Sequence, residues 1–162
     1  MTTLPRHIAA AIDVAPDADA VIAAHVVDTA AALAERCGAS LTLLHACPPP
    51  PNLVPPPLDV WNVAAASLAE LVKAQAEHAK GELAKLEARV KQRGVTVDSV
   101  AITDPGPLPA LLAQTAKDQG CDLIIICTRG KRGLGRVLLG SVAERTAHLA
   151  EVPIMLLQPP SH

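Results

Sequence analysis

CDLIIICTRGKRGLGRVLLGSV, residues 121–142, carries the β-branched run Leu123-Ile124-Ile125-Ile126, too short for a stable helix. Four consecutive apolar residues predict a strand buried on both faces, the type found in parallel sheets. The next residues, Thr128 to Arg136, are polar, flexible and cationic. Gly140-Ser141 then precedes Val142-Ala143-Glu144-Arg145, and Ser141 as N-cap with Glu144 three residues on matches a capping box. The chain therefore leaves the carboxyl end of a buried strand, turns through a glycine loop and enters a helix. In open α/β sheets anionic ligands settle at such places, because helix N-terminal N–H groups carry partial positive charge. The basic cluster Arg129, Lys131, Arg132 and Arg136 fits either a phosphate clamp or a solvated surface loop.

Working outward, the same strand-then-helix alternation recurs. His7 to Val14 predicts a first strand, and Pro16-Asp17-Ala18-Asp19 a turn with a helix cap. Ala20 to Arg36 places Val21, Ala24, Val27, Ala31 and Leu33 at helical spacing and stops near Gly38. Ser40 to Ala46 is a second strand, and a strand-helix-strand unit with short joins implies right-handed, parallel pairing. Val60 to Arg93 predicts one long helix with an apolar stripe of Leu68, Leu71, Val72, Ala79, Leu83, Leu86 and Val90. Val95 to Ile102 alternates as a third strand; Leu108 to Asp118 is a short helix ending by Gly120. Beyond the opening stretch come a helix, Val142 to Ala150, and a strand, Pro153 to Leu157. This order predicts an α/β fold, a doubly wound five-stranded sheet with helices on both faces, as a single domain over residues 1–162. Residues 47–59 interrupt it: seven prolines there forbid helix or central strand and favour polyproline II. That segment reads as an inserted surface loop, a flap over the strand ends or a docking segment, with Trp61 as its anchor.

Composition narrows the function. Half the residues are apolar, with one Trp and no Phe or Tyr, so the core must pack through aliphatic side chains. A formal net charge of −2 gives no reason to expect non-specific nucleic-acid binding. MTTLPRHIAAAIDV lacks the pattern of a signal peptide, and no apolar run approaches a membrane span. The expectation is a soluble, cytoplasmic protein without membrane insertion. The four cysteines, Cys37, Cys47, Cys121 and Cys127, show no CxxC spacing, and Cys121 and Cys127 flank an interior strand as small hydrophobes. The P-loop and dinucleotide glycine patterns are both absent. His45 is expected to make a structural hydrogen bond, and no ligand spacing predicts a metal site. Ser141, His148 and Asp13 do not form a triad, since two helical turns, roughly 10 Å, separate the first two.

Gly130, nine intervening residues and Gly140-Ser141 resemble the nucleotide-binding signature of the universal stress protein family, Gly-x2-Gly-x9-Gly-Ser/Thr. The downstream Val142-Ala143-Glu144-Arg145 and Val152 to Leu157 are similar to that family's last helix and last strand. The first glycine of the signature is replaced by Cys127, whose β-carbon and sulfur would crowd a ribose. The resemblance implies strand order 3-2-1-4-5, with the switch point between strands 1 and 4. It implies a stress-response protein that binds ATP or a related adenine nucleotide as a regulatory ligand, with magnesium as counter-ion. At most slow hydrolysis is expected, because no general base or other catalytic residue is evident. Carried across, Ile12, Asp13 and Ala46 would face the adenosine. Ile126 and Cys127 would line the strand-4 end, and Arg129, Gly130, Gly140, Ser141 and Val142 would surround ribose and phosphates. Two plainer roles compete: Asp13 as a turn-capping carboxylate and Ser141 as an N-cap. The resemblance also implies a homodimer through the last strand, Val152 to Leu157. The alternative is a dimeric signalling or scaffold protein of the same fold that binds no nucleotide and works through an unidentified protein partner.

Overall fold

A computed structural model of the chain describes residues 4–47, 61–128 and 140–160. The proline-rich segment from residue 48 to 60, the side chains of residues 61–65, Trp61 among them, and residues 129–139 with their basic cluster lie outside the described residues.

The elements alternate strictly. They run β1 (His7–Ala11), α1 (Ala20–Cys37), β2 (Ser40–Ala46), α2 (Trp61–Lys91), β3 (Val97–Ile102), α3 (Leu108–Asp118), β4 (Leu123–Cys127), α4 (Ser141–Leu149) and β5 (Ile154–Leu157). All five strands form one parallel sheet in the order β3-β2-β1-β4-β5. The α/β architecture expected from the sequence and the strand order implied by the resemblance are both present. β1 lies at the centre, with Ile8 opposite Leu41 on one side and Leu123 on the other.

Strict alternation within buried strands feeds two cores. Ile8, Ala10, Leu41, Leu43 and Ile125 point to the α1/α2 side and meet Val26, Val27, Leu83 and Val90. Ala9, Ala11, Leu44, Ile124 and Ile126 point the other way, towards Leu112, Ala116 and Ala143 of α3 and α4. A strand covered on both faces reads as an unbroken apolar run, which is why Leu123-Ile124-Ile125-Ile126 stands out in the sequence.

Local signals fix most helix ends. The Asp19 carboxylate accepts from the Val21 N–H at 2.9 Å and caps α1, and Gly38 closes it in the left-handed region at φ 66°. Three expectations are corrected. On α1 the buried face is Ala23, Val26, Val27, Ala30, Ala31 and Ala34, whereas Val21 is 56% exposed. On α2 the stripe is buried only in its second half: Ala79, Leu83 and Val90 are each 1% exposed, but Leu71 is 48% exposed. At α4 the N-cap is Gly140, with no side-chain cap hydrogen bond, and Ser141 is the first helical residue. The Ser141–Glu144 capping box therefore does not form. Glycine is itself an accepted N-cap, and the Glu144 N–H donates to the Gly140 carbonyl at 2.9 Å.

Candidate functional site

In a parallel sheet every strand ends on the same side and every following helix starts there. The ends of β1, β2 and β4 therefore share one rim with the first turns of α1, α3 and α4. A cavity of about 210 Å³ opens at this rim. Ile12, Asp13, Ala46, Ile126, Cys127 and Val142, six of the residues singled out from sequence, line it together. Gly140 and Ser141 stand beside Val142 at the start of α4, outside the cavity wall. The Gly140 N–H donates to the Thr128 carbonyl at 2.7 Å, so the two ends of the intervening loop are pinned to one another. Arg129 and Gly130 fall outside the described residues.

The cavity also takes residues that motif reasoning missed: Asp19, Ile22, Ala23 and Val26 from the start of α1, and Leu108 and Leu112 from α3. Their signal was topological. Once parallel pairing is inferred, the helices after β1 and β3 must begin at the same rim as the glycine loop.

Most of the wall is aliphatic, with Asp13, Asp19 and His45 as its polar members. The Asp13 side chain is 63% exposed, and its Oδ1 accepts from the Ala15 N–H at 3.0 Å. Asp13 thus caps its own turn and borders the cavity at once. The Ile12 N–H still donates to the Leu44 carbonyl at 2.9 Å, and the chain leaves the sheet just beyond it. His45 is 4% exposed. Its Nδ1 lies 3.2 Å from the Ile12 carbonyl oxygen, 3.3 Å from the Val14 nitrogen and 3.8 Å from Asp13 Oδ1. Burial pushes the imidazole pKa below 6.5; the Ile12 carbonyl and Asp13 oppose that, and His78 on α2 adds to it. The expected structural hydrogen bond of His45 is therefore present, and the ring is neutral at neutral pH. On the far side of the same loop lies a hollow of about 340 Å³ bordered by His78, Glu82 and Lys85.

Among the described residues, no group of three or more His, Cys, Asp and Glu is placed to hold a metal ion. No described helix is long and apolar enough to cross a membrane. What the rim offers chemically is an aliphatic slot with a carboxylate at its edge and three helix N-termini around it, suited to a ligand with an apolar ring and an anionic end.

Residues 5–158 match the model of the universal stress protein family. A universal stress protein of Methanocaldococcus jannaschii is 33% identical over 94 residues, which is 57% of this chain and 52% of the relative. The chain spans about half the length of the two curated relatives from that organism that it matches, 52% and 54%. Among solved structures, the universal stress protein UspA from Lactobacillus plantarum superposes with a TM-score of 0.75 at 21% identity, covering 94% of this chain and 97% of that one. The universal stress protein from Archaeoglobus fulgidus in complex with dAMP gives 0.62 at 18% identity, covering 94% and 98%. A universal stress protein in complex with cAMP gives 0.61 at 16%, covering 97% and 99%.

Proposed function

We propose that this chain, which belongs to the universal stress protein family, is a stress-response protein that binds ATP or a related adenine nucleotide as a regulatory ligand. One observation carries the reading: Ile12, Asp13, Ala46, Ile126, Cys127 and Val142, six of the ten residues chosen from sequence for a nucleotide site, border one cavity at the switch point of the sheet. In the proposed complex the purine enters the aliphatic slot between Ile12, Ala46 and Leu112, and the Asp13 carboxylate accepts from the ribose hydroxyls. Gly140, Ser141 and the loop containing Arg129 and Gly130 receive the phosphates at the α4 N-terminus, where backbone N–H groups and the helix dipole favour negative charge. Because Gly140 serves as the cap, the Ser141 hydroxyl is not committed to the helix end and is available to a phosphate oxygen. Relatives of the same fold captured with dAMP and cAMP lend support at the level of ligand class. Magnesium enters as the counter-ion of the phosphates. No pair of nucleophile and base is assembled among the described residues around the cavity, so hydrolysis is expected to be slow.

A second reading is favoured by Cys127, which borders the cavity where the family signature has glycine. It makes the chain a signalling or scaffold protein of the same fold that takes no nucleotide. In either reading the protein is cytoplasmic and dimerises through β5, an edge strand hydrogen-bonded only to β4 among the described residues and presenting Leu156 at 39% exposure.

Calorimetric titration of ATP and dAMP into ligand-stripped protein, with and without magnesium, separates the readings. Saturable binding by the unmodified chain, lost in Gly130→Val, is the expected result. Binding confined to Cys127→Gly would favour the second reading, and no binding by either protein would overturn the nucleotide assignment.

A further inference from the structure

Two side chains bond the backbone just beyond β1, around Asp13. Asp13 folds the turn back on itself through the Ala15 N–H at 3.0 Å. His45, one residue before the end of β2, reaches across from the neighbouring strand to the Ile12 carbonyl and the Val14 N–H, on either side of Asp13. We propose that His45 is the positioning residue of the candidate ligand site, setting the height and direction of Asp13 at the cavity rim through the Val14 N–H bond, and that its protonation releases that bond. This rests on the nucleotide reading for its consequence, but not for the latch itself.

The reasoning is stereochemical. One ring nitrogen serves two backbone groups of opposite character, and it cannot serve both. With the proton on Nε2, Nδ1 accepts from the Val14 N–H; with a proton on Nδ1, it donates to the Ile12 carbonyl and faces the Val14 N–H hydrogen to hydrogen. The doubly protonated ring has no acceptor at all. It must drop Val14; its Nδ1–H donates to the Ile12 carbonyl, 3.2 Å away, and it gains attraction to the Asp13 carboxylate, whose Oδ1 is 3.8 Å from Nδ1. Protonation therefore moves the His45 bond from Val14 to Ile12, from one side of Asp13 to the other, and draws the Asp13 carboxylate inward, away from a ligand hydroxyl. The charged and titratable groups around the ring are Asp13 on the loop, His78 on α2 and, on the cavity side, Asp19 at the start of α1. Burial of His45 disfavours the charged ring, and the Val14 N–H bond belongs to the neutral ring with its proton on Nε2; that form is the ordered state of the loop.

Two measurements test this on the full chain. In the unliganded protein, the Val14 amide resonance is followed by two-dimensional NMR from pH 7.5 to 5, against the ring carbons of His45 and the amide of Ala39 as a remote control. Val14 is expected to move with the midpoint of His45 while Ala39 does not. A Val14 resonance that ignores the His45 titration overturns the latch, whatever the ligand. The second measurement is the affinity for dAMP by calorimetry over the same range, in a His78→Gln background that removes the other imidazole. Loss of one hydrogen bond predicts a weakening on the order of tenfold as His45 protonates. His45→Asn, whose amide can still accept from Val14 but does not titrate, should show no such step beyond that of the ligand phosphate, whatever its affinity at pH 7.5. A step of equal size in His45→Asn overturns the role of His45. Absence of dAMP binding at every pH overturns the nucleotide reading, with the Val14 measurement still deciding the latch.

Discussion

Leu71 and Leu83 lie on the same helix and fit the same apolar spacing, yet one is 48% exposed and the other 1%. Replacing each by Ala makes the same chemical change in two environments. Leu83 sits against the sheet with Val26, Val27 and Leu43, and it is the largest fully buried side chain that α2 contributes among the described residues. Truncation there loses the transfer free energy and leaves a void, about 2–5 kcal/mol for a buried leucine. Against a total stability of about 5–15 kcal/mol that is a large fraction. With a urea dependence of about 1–3 kcal/mol per molar, a loss of about 3 kcal/mol lowers the midpoint by roughly 1–3 M. The same loss lowers Tm by roughly 6–12 °C at this chain length. Leu71→Ala should stay within about 0.5 kcal/mol of the parent, because little apolar area is given back to water. Urea melts of the three proteins, followed by far-ultraviolet circular dichroism, give the comparison directly. Equal midpoint shifts for the two variants would refute the reasoning, since they would require the first half of α2 to be packed as tightly as the second.

Gly38→Ala should destabilise by about 1–2 kcal/mol in the same melts: a β-carbon there meets nothing within 4 Å, so the cost is the left-handed backbone at φ 66°. Asp19→Ala removes the α1 cap and should cost about 1 kcal/mol, with Asp19→Asn recovering most of it. Cys121 gives an alkaline signature. Burial raises its pKa from 9.0 to about 11, so the folded state holds the proton more tightly than the unfolded one. The associated stability is fully present below about pH 9 and is lost as pH rises to about 11, on the order of 2 kcal/mol; Cys121→Ala should flatten that limb of the stability profile. His45 acts at the other end. Its folded pKa is lowered, so stability is full above about 6.5 and falls as pH drops through the lowered value, a limb that His45→Asn should lack.

The fold was legible because its most constrained parts speak most plainly. A strand buried on two faces has no polar positions to spare, and β4 is conspicuous for that reason; α3, between Pro107 and Gly120, has punctuation at both ends. Legibility fell where periodicity had to stand in for a partner. On α1 the buried face is mostly alanine, so the bulkier Val21 and Leu33 attracted the pattern although Val21 faces water. On α2 the apolar spacing continues past the part of the helix that the sheet covers, because spacing reports an amphipathic helix and not the length of what it lies on. Gly140 and Ser141 both satisfy the rules for an N-cap, and their local chemistry does not rank them. For the site, motif and strand-end residues were found because they sit beside a glycine signature or a strand terminus. Asp19, Ile22, Leu108 and Leu112 have no such label, and only the closed topology brings them to the cavity.

Placing β1 in the middle of the sheet has a consequence for how the chain is made. The first of these five strands in chain order needs two neighbours, and the second is far downstream: the His7 amide bonds the Asp122 carboxylate across 115 positions. β2 can zip onto β1 as soon as α1 has formed, but the opposite ladder, Ile8 to Ala11, stays open until Leu123 to Ile126 arrives. Such high contact order slows folding, because loop-closure entropy must be met before the pairing rewards it. In the interval the nascent protein carries a bare apolar edge at what will become its centre, and that edge can pair with another chain. β4 therefore closes the sheet on β1, and a substitution that delays it, such as one at Ile125, should lower the yield of soluble protein during synthesis more than its equilibrium cost alone would suggest.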